Sequence, residues 1–151
     1  MFKNLIFDFG KVLVDYDFFH TIRRYFQSEE DLQEILRHYR GERFLSVGEG
    51  SNLLFTKDFD GVVLHSQMCR ARAKGETDTE VWIEAESGLR LDDLISQLVD
   101  MNLTGLENLS HIPGTVGASA VQNVGAYGIE AKDLIEEVSA IEINTLRTCV
   151  F

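Results

Sequence analysis

The sequence predicts an α+β fold, and three observations lead there. Short apolar, β-favouring runs recur along the chain, at Arg43 to Val47, Val62 to Leu64, Val81 to Ala85 and Val138 to Ile143. Two other segments carry apolar residues at helical spacing. The hydrophobic share of 44% over 151 residues is enough for a real core, in one domain or one domain with an appendage.

The first apolar run, Leu5 to Asp15, reads as a strand, a tight turn at Gly10 and a second extended piece. A fully punctuated helix follows. Ser28 is its expected N-cap, and Glu29, Glu30 and Asp31 place carboxylates at the positive end of the helix dipole. Leu32, Ile35, Leu36 and Tyr39 form one apolar face. Arg37, His38 and Arg40 fill the last turn and Gly41 can end it, with His38 read as a solvated partner of the dipole. After the strand at 43–47 come Gly48-Glu49-Gly50-Ser51-Asn52 and the apolar run Leu53-Leu54-Phe55, expected as another strand. Asp58 to Gly61 reads as a turn. Leu91, Leu94, Ile95 and Leu98 mark an amphipathic helix from Leu91 to about Met101.

Residues 105–128 differ in character. They hold Gly105, Gly114, Gly117, Gly125, Gly128 and the lone proline, Pro113, among small residues. The stretch reads as too glycine-rich for a regular helix and too uncharged for a disordered linker, so its backbone is expected to come close to something. The end of the chain reads as strand, turn and the start of a further strand at Cys149 to Phe151.

Charge narrows the function. Fourteen basic and 25 acidic residues leave a formal charge of −11, which repels nucleic-acid phosphates and anionic membranes. A local phosphate site stays possible, because backbone amides can supply positive potential. Cys69 and Cys149 fit no metal spacing and are expected as reduced thiols of a cytoplasmic protein. No apolar run approaches a membrane span, and the start lacks a signal-peptide cleavage site.

Two glycine-rich elements carry the chemistry. In the first, Gly48 and Gly50 let the main chain turn sharply and present N–H groups, while Ser51 and Asn52 add side-chain bonds. This is a nest for an anion such as a pyrophosphate; a plain strand–turn–strand hairpin is the alternative. In the second, small residues leave room for a flat ring system. Thr115, Ser119, Gln122 and Asn123 can bond its edge, and Ile112, Val121 and Val124 can pack on its faces. A packed glycine-rich loop is the alternative there.

Four blocks, GEGSNLLF at 48–55, DFDGVVL at 58–64, GLENLS at 105–110 and IPGTVGASAVQNVGAYG at 112–128, resemble the signature blocks of the UDP-N-acetylenolpyruvoylglucosamine reductase family, in order and at about its spacing. The resemblance runs over residues 25–151. It implies an FAD-binding fold of two small α+β subdomains, 25–86 and 87–151, with the flavin in the cleft between them and without the family's C-terminal substrate domain. Gly48, Gly50, Ser51 and Asn52 would cradle the pyrophosphate. Ile112, Pro113, Gly114, Gly117, Ala118, Ser119, Gln122, Asn123 and Gly125 would line the flavin, and Tyr127 would face the nicotinamide and substrate. His111 stands where the family often has an apolar residue. The family makes a peptidoglycan precursor, passing hydride from NADPH through FAD to a UDP-sugar enolpyruvate. The family's catalytic serine, arginine and glutamate have no counterpart here, so no catalytic residue is assigned. The expectation is a catalytically incomplete flavin-binding portion; the alternatives are a non-catalytic flavin-binding module completed by a second chain, or a hybrid gene product.

Residues 1–24 look unrelated to that family. IFDFGKVLVDYD at 6–17 resembles motif one of haloacid-dehalogenase-like phosphohydrolases, which would make Asp8 a nucleophile toward phosphorus. The family's second aspartate is Gly10 here, and its later motifs are not found. An apolar strand ending in an aspartate is the preferred reading of Asp8.

Overall fold

The computed structural model describes residues 21–151. The apolar opening run, Asp8 and nearly all of the 1–24 leader lie outside the described residues. The chain divides between Gln67 and Met68 into two compact units.

The first unit is built on a parallel sheet. Strand β1 (Thr21–Phe26) is followed by helix α1 (Glu29–His38), then β2 (Phe44–Ser46) and β3 (Gly61–Ser66). The order is β1-β3-β2, with both outer strands parallel to β3: Phe26 lies opposite Ser66 and Phe44 opposite Val62. Val62, fully buried, and Leu64 are core residues of β3, as a central strand requires. The helix forms where its local signals predict. Ser28 Oγ accepts from the Asp31 N–H at 3.1 Å, Asp31 returns a bond to the Gln27 N–H, and Leu36 is buried. Gly41 follows with φ of +96°, the left-handed conformation that ends helices.

Parallel pairing of β2 and β3 changes the reading of the loop between them. A hairpin joins antiparallel strands, so the hairpin alternative for residues 48–52 does not hold. Nor is Leu53 to Phe55 a strand; Leu53 and Leu54 stand exposed on the connection. Strand β1 was not expected, because Arg23 and Arg24 interrupt its apolar pattern.

The second unit opens with an antiparallel hairpin, β4 (Ala71–Glu76) and β5 (Val81–Ala85), with a register shift between Ala73 and Gly75. Helix α2 (Leu91–Asp100) follows, then one turn of tighter helix at Glu107–Leu109 and helix α3 (Val116–Gln122). Two short hairpins end the chain: β6 (Gly125–Ala126) with β7 (Ile129–Glu130), and β8 (Ser139–Ile141) with β9 (Thr148–Val150). The hairpin β4–β5 belongs to this unit because Ala71, Ile83 and Ala85 pack against Leu89, Leu94 and Leu98. The expected boundary near residue 86 would part them.

Helix α2 organises the unit. Leu94 and Leu98 face that first cluster, while Leu91 and Ile95 join Leu109 in a second, against Leu106, Ile112, Val124 and Ala126. Each such leucine or isoleucine taken from water is worth about 1.5–3 kcal/mol. Helix α3 corrects the expectation that the glycine-rich stretch holds no regular helix. It is capped at both ends: Thr115 Oγ1 accepts from the Ala118 N–H, and Asn123 takes the left-handed conformation with φ of +47°. These caps offset the low helix propensity of Gly117.

Candidate functional site

In the first unit, residues 48–52 leave the carboxyl end of β2, one residue beyond Val47, whose N–H bonds the Leu64 carbonyl at 2.9 Å. Carboxyl ends of parallel strands are where ligands bind in open sheets of this kind. Gly50 has φ of +79°, and its carbonyl accepts from the Leu53 N–H at 3.0 Å, which closes a tight turn. Gly48, Gly50 and Ser51 are half-buried and Asn52 is exposed.

In the second unit the glycine-rich stretch is laid against the segment before α2. Leu91 N–H donates to the Gly114 carbonyl at 3.0 Å, Val116 N–H to Leu89 at 2.8 Å, and Gly117 N–H to Ser87 at 3.0 Å. Arg90 and Thr115 form the antiparallel bridge between the two. This zipper sets where α3 begins. Further upstream, Asp92 in the first turn of α2 accepts from Ser110 Oγ at 2.9 Å and from the His111 N–H at 2.8 Å. Those two bonds, the His111 amide first, hold the Asp92 carboxyl below the ordinary aspartate range. His111 itself has φ of +60° and an exposed ring.

Beyond α3, Asn123 ties the end of the helix to the next hairpin. Its Nδ2 donates to Glu130 Oε2 at 2.9 Å, and its Oδ1 accepts from the Lys132 N–H at 2.9 Å. The hairpin β6–β7 turns through Tyr127 and Gly128, with φ of +53° and +84°. A two-residue turn with both φ values positive favours Asn-Gly or Asp-Gly, not an aromatic residue. Tyr127 nevertheless occupies the first position with 89% of its surface exposed, and Val121 on α3 is 90% exposed. A bulky side chain kept in a costly conformation and in water marks a surface that meets something.

The predicted residues therefore divide by what they do in the fold. Ile112 is half-buried on the second core cluster, Pro113 is exposed and Gly114 is buried. Thr115 and Ser119 are buried: Thr115 caps α3, and Ser119 Oγ donates to the Val116 carbonyl at 2.7 Å. Gly117 makes room for Ser87, and Gly125 lies at 3.0 Å, by its would-be Cβ, from Glu130 and the Ile129 carbonyl. Ala118 is half-buried, while Gln122 and Asn123 are exposed. Asn123, Gly125, Ala126 and Gly128 share one shallow polar depression. Asp92 was not singled out from the sequence; its partners lie 18 and 19 residues away, and no local pattern announces such a pair.

In the second unit, the small residues on α3 and the exposed apolar surfaces of Val121 and Tyr127 suit a flat, partly apolar ligand. In the first unit, the left-handed Gly50 beyond a parallel strand suits an anionic group. Among the described residues no group of three or more His, Cys, Asp or Glu is placed to hold a metal ion. No helix among them is long and apolar enough to cross a membrane.

Comparison with known proteins agrees with this chemistry. A family described as FAD binding domain matches residues 22–144. A UDP-N-acetylenolpyruvoylglucosamine reductase of Bacteroides fragilis is 49% identical over 101 residues, 67% of this chain and 30% of the relative. The reductase of Flavobacterium johnsoniae is 42% identical over 124 residues, 82% of this chain and 37% of the relative. That of Neisseria gonorrhoeae is 44% identical over 118 residues, covering 77% and 34%. The chain thus spans about a third of the length of these relatives. The crystal structure of UDP-N-acetylenolpyruvylglucosamine reductase from Thermus caldophilus has the same fold, with a TM-score of 0.67 at 22% identity over 85% of this chain and 44% of the other. The chain belongs to the FAD binding domain family and corresponds to the flavin-binding part of the UDP-N-acetylenolpyruvoylglucosamine reductases.

Proposed function

We propose that this chain binds FAD as part of an NADPH-dependent reductase acting on the enolpyruvyl ether of UDP-N-acetylglucosamine, a peptidoglycan precursor, in the cytoplasm. The observation that carries the reading is the family match over residues 22–144, which contains both glycine-rich elements. The loop at Gly48, Gly50, Ser51 and Asn52 binds the pyrophosphate through its backbone amides. The stretch from Ile112 to Gly125 receives the ring system, and Tyr127 presents an aromatic face to nicotinamide and substrate. Bound FAD supplies hydride transfer, which is the cofactor's own chemistry. The groups that protonate and polarise the substrate are placed outside these 151 residues, on the same polypeptide or on a second chain. The partial span of the relatives supports that placement.

The test is a flavin absorbance spectrum with titration of FAD into the folded protein. Saturable binding is expected; a folded sample that binds no FAD overturns the reading. With FAD bound, NADPH oxidation is expected to proceed without acceleration by the UDP-sugar substrate. Substrate-dependent turnover at about one per second, an ordinary enzyme rate, overturns the assignment of no catalytic residue to this chain.

A further inference from the structure

We propose that Asp92 is the positioning residue for the flavin-facing segment Ile112 to Gly114, acting through its grip on Ser110 and His111. The inference rests on the reading of that segment as part of the flavin site.

The geometry begins with a rigid frame. Leu91, Ile95 and Leu109 are 4%, 3% and 1% exposed and pack into one cluster, so the start of α2 and the turn at 107–109 move together. At Ser110 the chain leaves this frame. Ser110 is extended, and His111 turns into the left-handed region with φ of +60°, which few non-glycine residues adopt. Asp92 Oδ1 is what holds it, accepting both the Ser110 hydroxyl and the His111 amide. Its Oδ2 also lies 3.6 Å from His111 Nδ1. Three residues later the Leu91 amide takes the Gly114 carbonyl. Two consecutive residues of α2 therefore fasten the segment at both ends, Leu91 by its backbone and Asp92 by its side chain. A carboxylate suits this place, because it accepts two donors at once in the first turn of a helix, where the dipole favours negative charge. The side-chain bonds of Asp92 run to Ser110 and His111, at the start of the segment read as facing the ring, so its effect is expected on the ring portion of the ligand.

The experiment compares the parent with Asp92→Ala, Asp92→Asn and Ser110→Ala. In the ligand-free protein, exchange of the His111 amide hydrogen is expected to be slow in the parent and about tenfold or more faster in Asp92→Ala. FAD affinity is expected to fall about tenfold in Asp92→Ala, by less in Asp92→Asn and Ser110→Ala, with the affinity for ADP unchanged in all of them. Equal FAD affinity in parent and Asp92→Ala overturns the proposal. So does a parallel loss of FAD and ADP binding with a lowered melting temperature, which is a purely structural effect. If Asp92→Ala does not fold, Ser110→Ala decides: unchanged exchange and unchanged FAD affinity there overturn the proposal. A parent that binds no FAD at all refutes the flavin reading instead, and the exchange measurement still decides whether Asp92 holds the turn.

Discussion

A Cβ added to Gly117 would lie 2.8 Å from the Cβ of Ser87 and 3.1 Å from its carbonyl oxygen, the same oxygen that accepts the Gly117 amide at 3.0 Å. The first turn of α3 and the backbone before α2 are in direct contact there, and only glycine allows it. Gly117 is thus explained by packing within its own unit, before any ligand is considered.

Gly117→Ala is expected to destabilise the ligand-free protein by about 1–3 kcal/mol, since backbone cannot move aside as a flexible side chain can. Thermal or denaturant unfolding without FAD measures it. Unchanged stability with lost FAD binding would place the role of Gly117 at the ligand.

Gly50→Val should act in the opposite sense. Gly50 holds φ of +79° in a surface loop, where a β-branched residue costs about 1–3 kcal/mol locally. The sheet beside it is expected to survive. Affinities for FAD and for ADP should both fall by about tenfold or more, because the loop can no longer present its amides. Titration of both ligands checks this; binding equal to the parent removes the pyrophosphate from this loop.

Tyr127→Asn replaces an aromatic residue with one that the turn prefers. Stability without ligand is expected to hold or to rise by about 1 kcal/mol or less. The rate at which NADPH reduces bound flavin should drop about two- to tenfold, the worth of one aromatic stacking contact. Stopped-flow measurement of flavin bleaching gives that rate. An unchanged rate assigns Tyr127 to some other surface role.

The Asp92 carboxyl supplies a pH signature. Its folded pKa is depressed, by the His111 amide first and the Ser110 hydroxyl second. A depressed carboxyl contributes stability that is fully present above the ordinary aspartate pKa and is lost as pH falls through the lower folded value. The melting-temperature gap between parent and Asp92→Asn is therefore expected to be constant at neutral pH and to close below about pH 4. A gap that persists at lower pH shows that the substitution acts through shape and not charge. Glu84 and Glu86, depressed by Arg72 and Arg70, titrate alike in both proteins and cancel in the difference.

Much of this protein is legible one segment at a time. Helix α1 is specified by Ser28, three carboxylates and one apolar stripe, and α2 by four apolar residues at helical spacing, because capping, dipole and periodicity act within a turn or two. The two glycine-rich elements stand out for the same reason: glycine and small residues declare a backbone that must turn or come close. What the sequence left open depends on distant partners. The parallel pairing of β2 with β3, which removes the hairpin at residues 48–52, is set across a connection of 14 residues, 47–60, that has no strand of its own. Helix α3 exists because Thr115 and Asn123 cap it and Ser87 accepts its glycine, against the propensity of its own residues. The grip of Asp92 on Ser110 and His111 arises only after Leu91, Ile95 and Leu109 have packed and brought the two segments within hydrogen-bond reach. Local preference wrote the elements; burial of side chains far apart in sequence decided which of them meet, and so where the glycine-rich backbone is held.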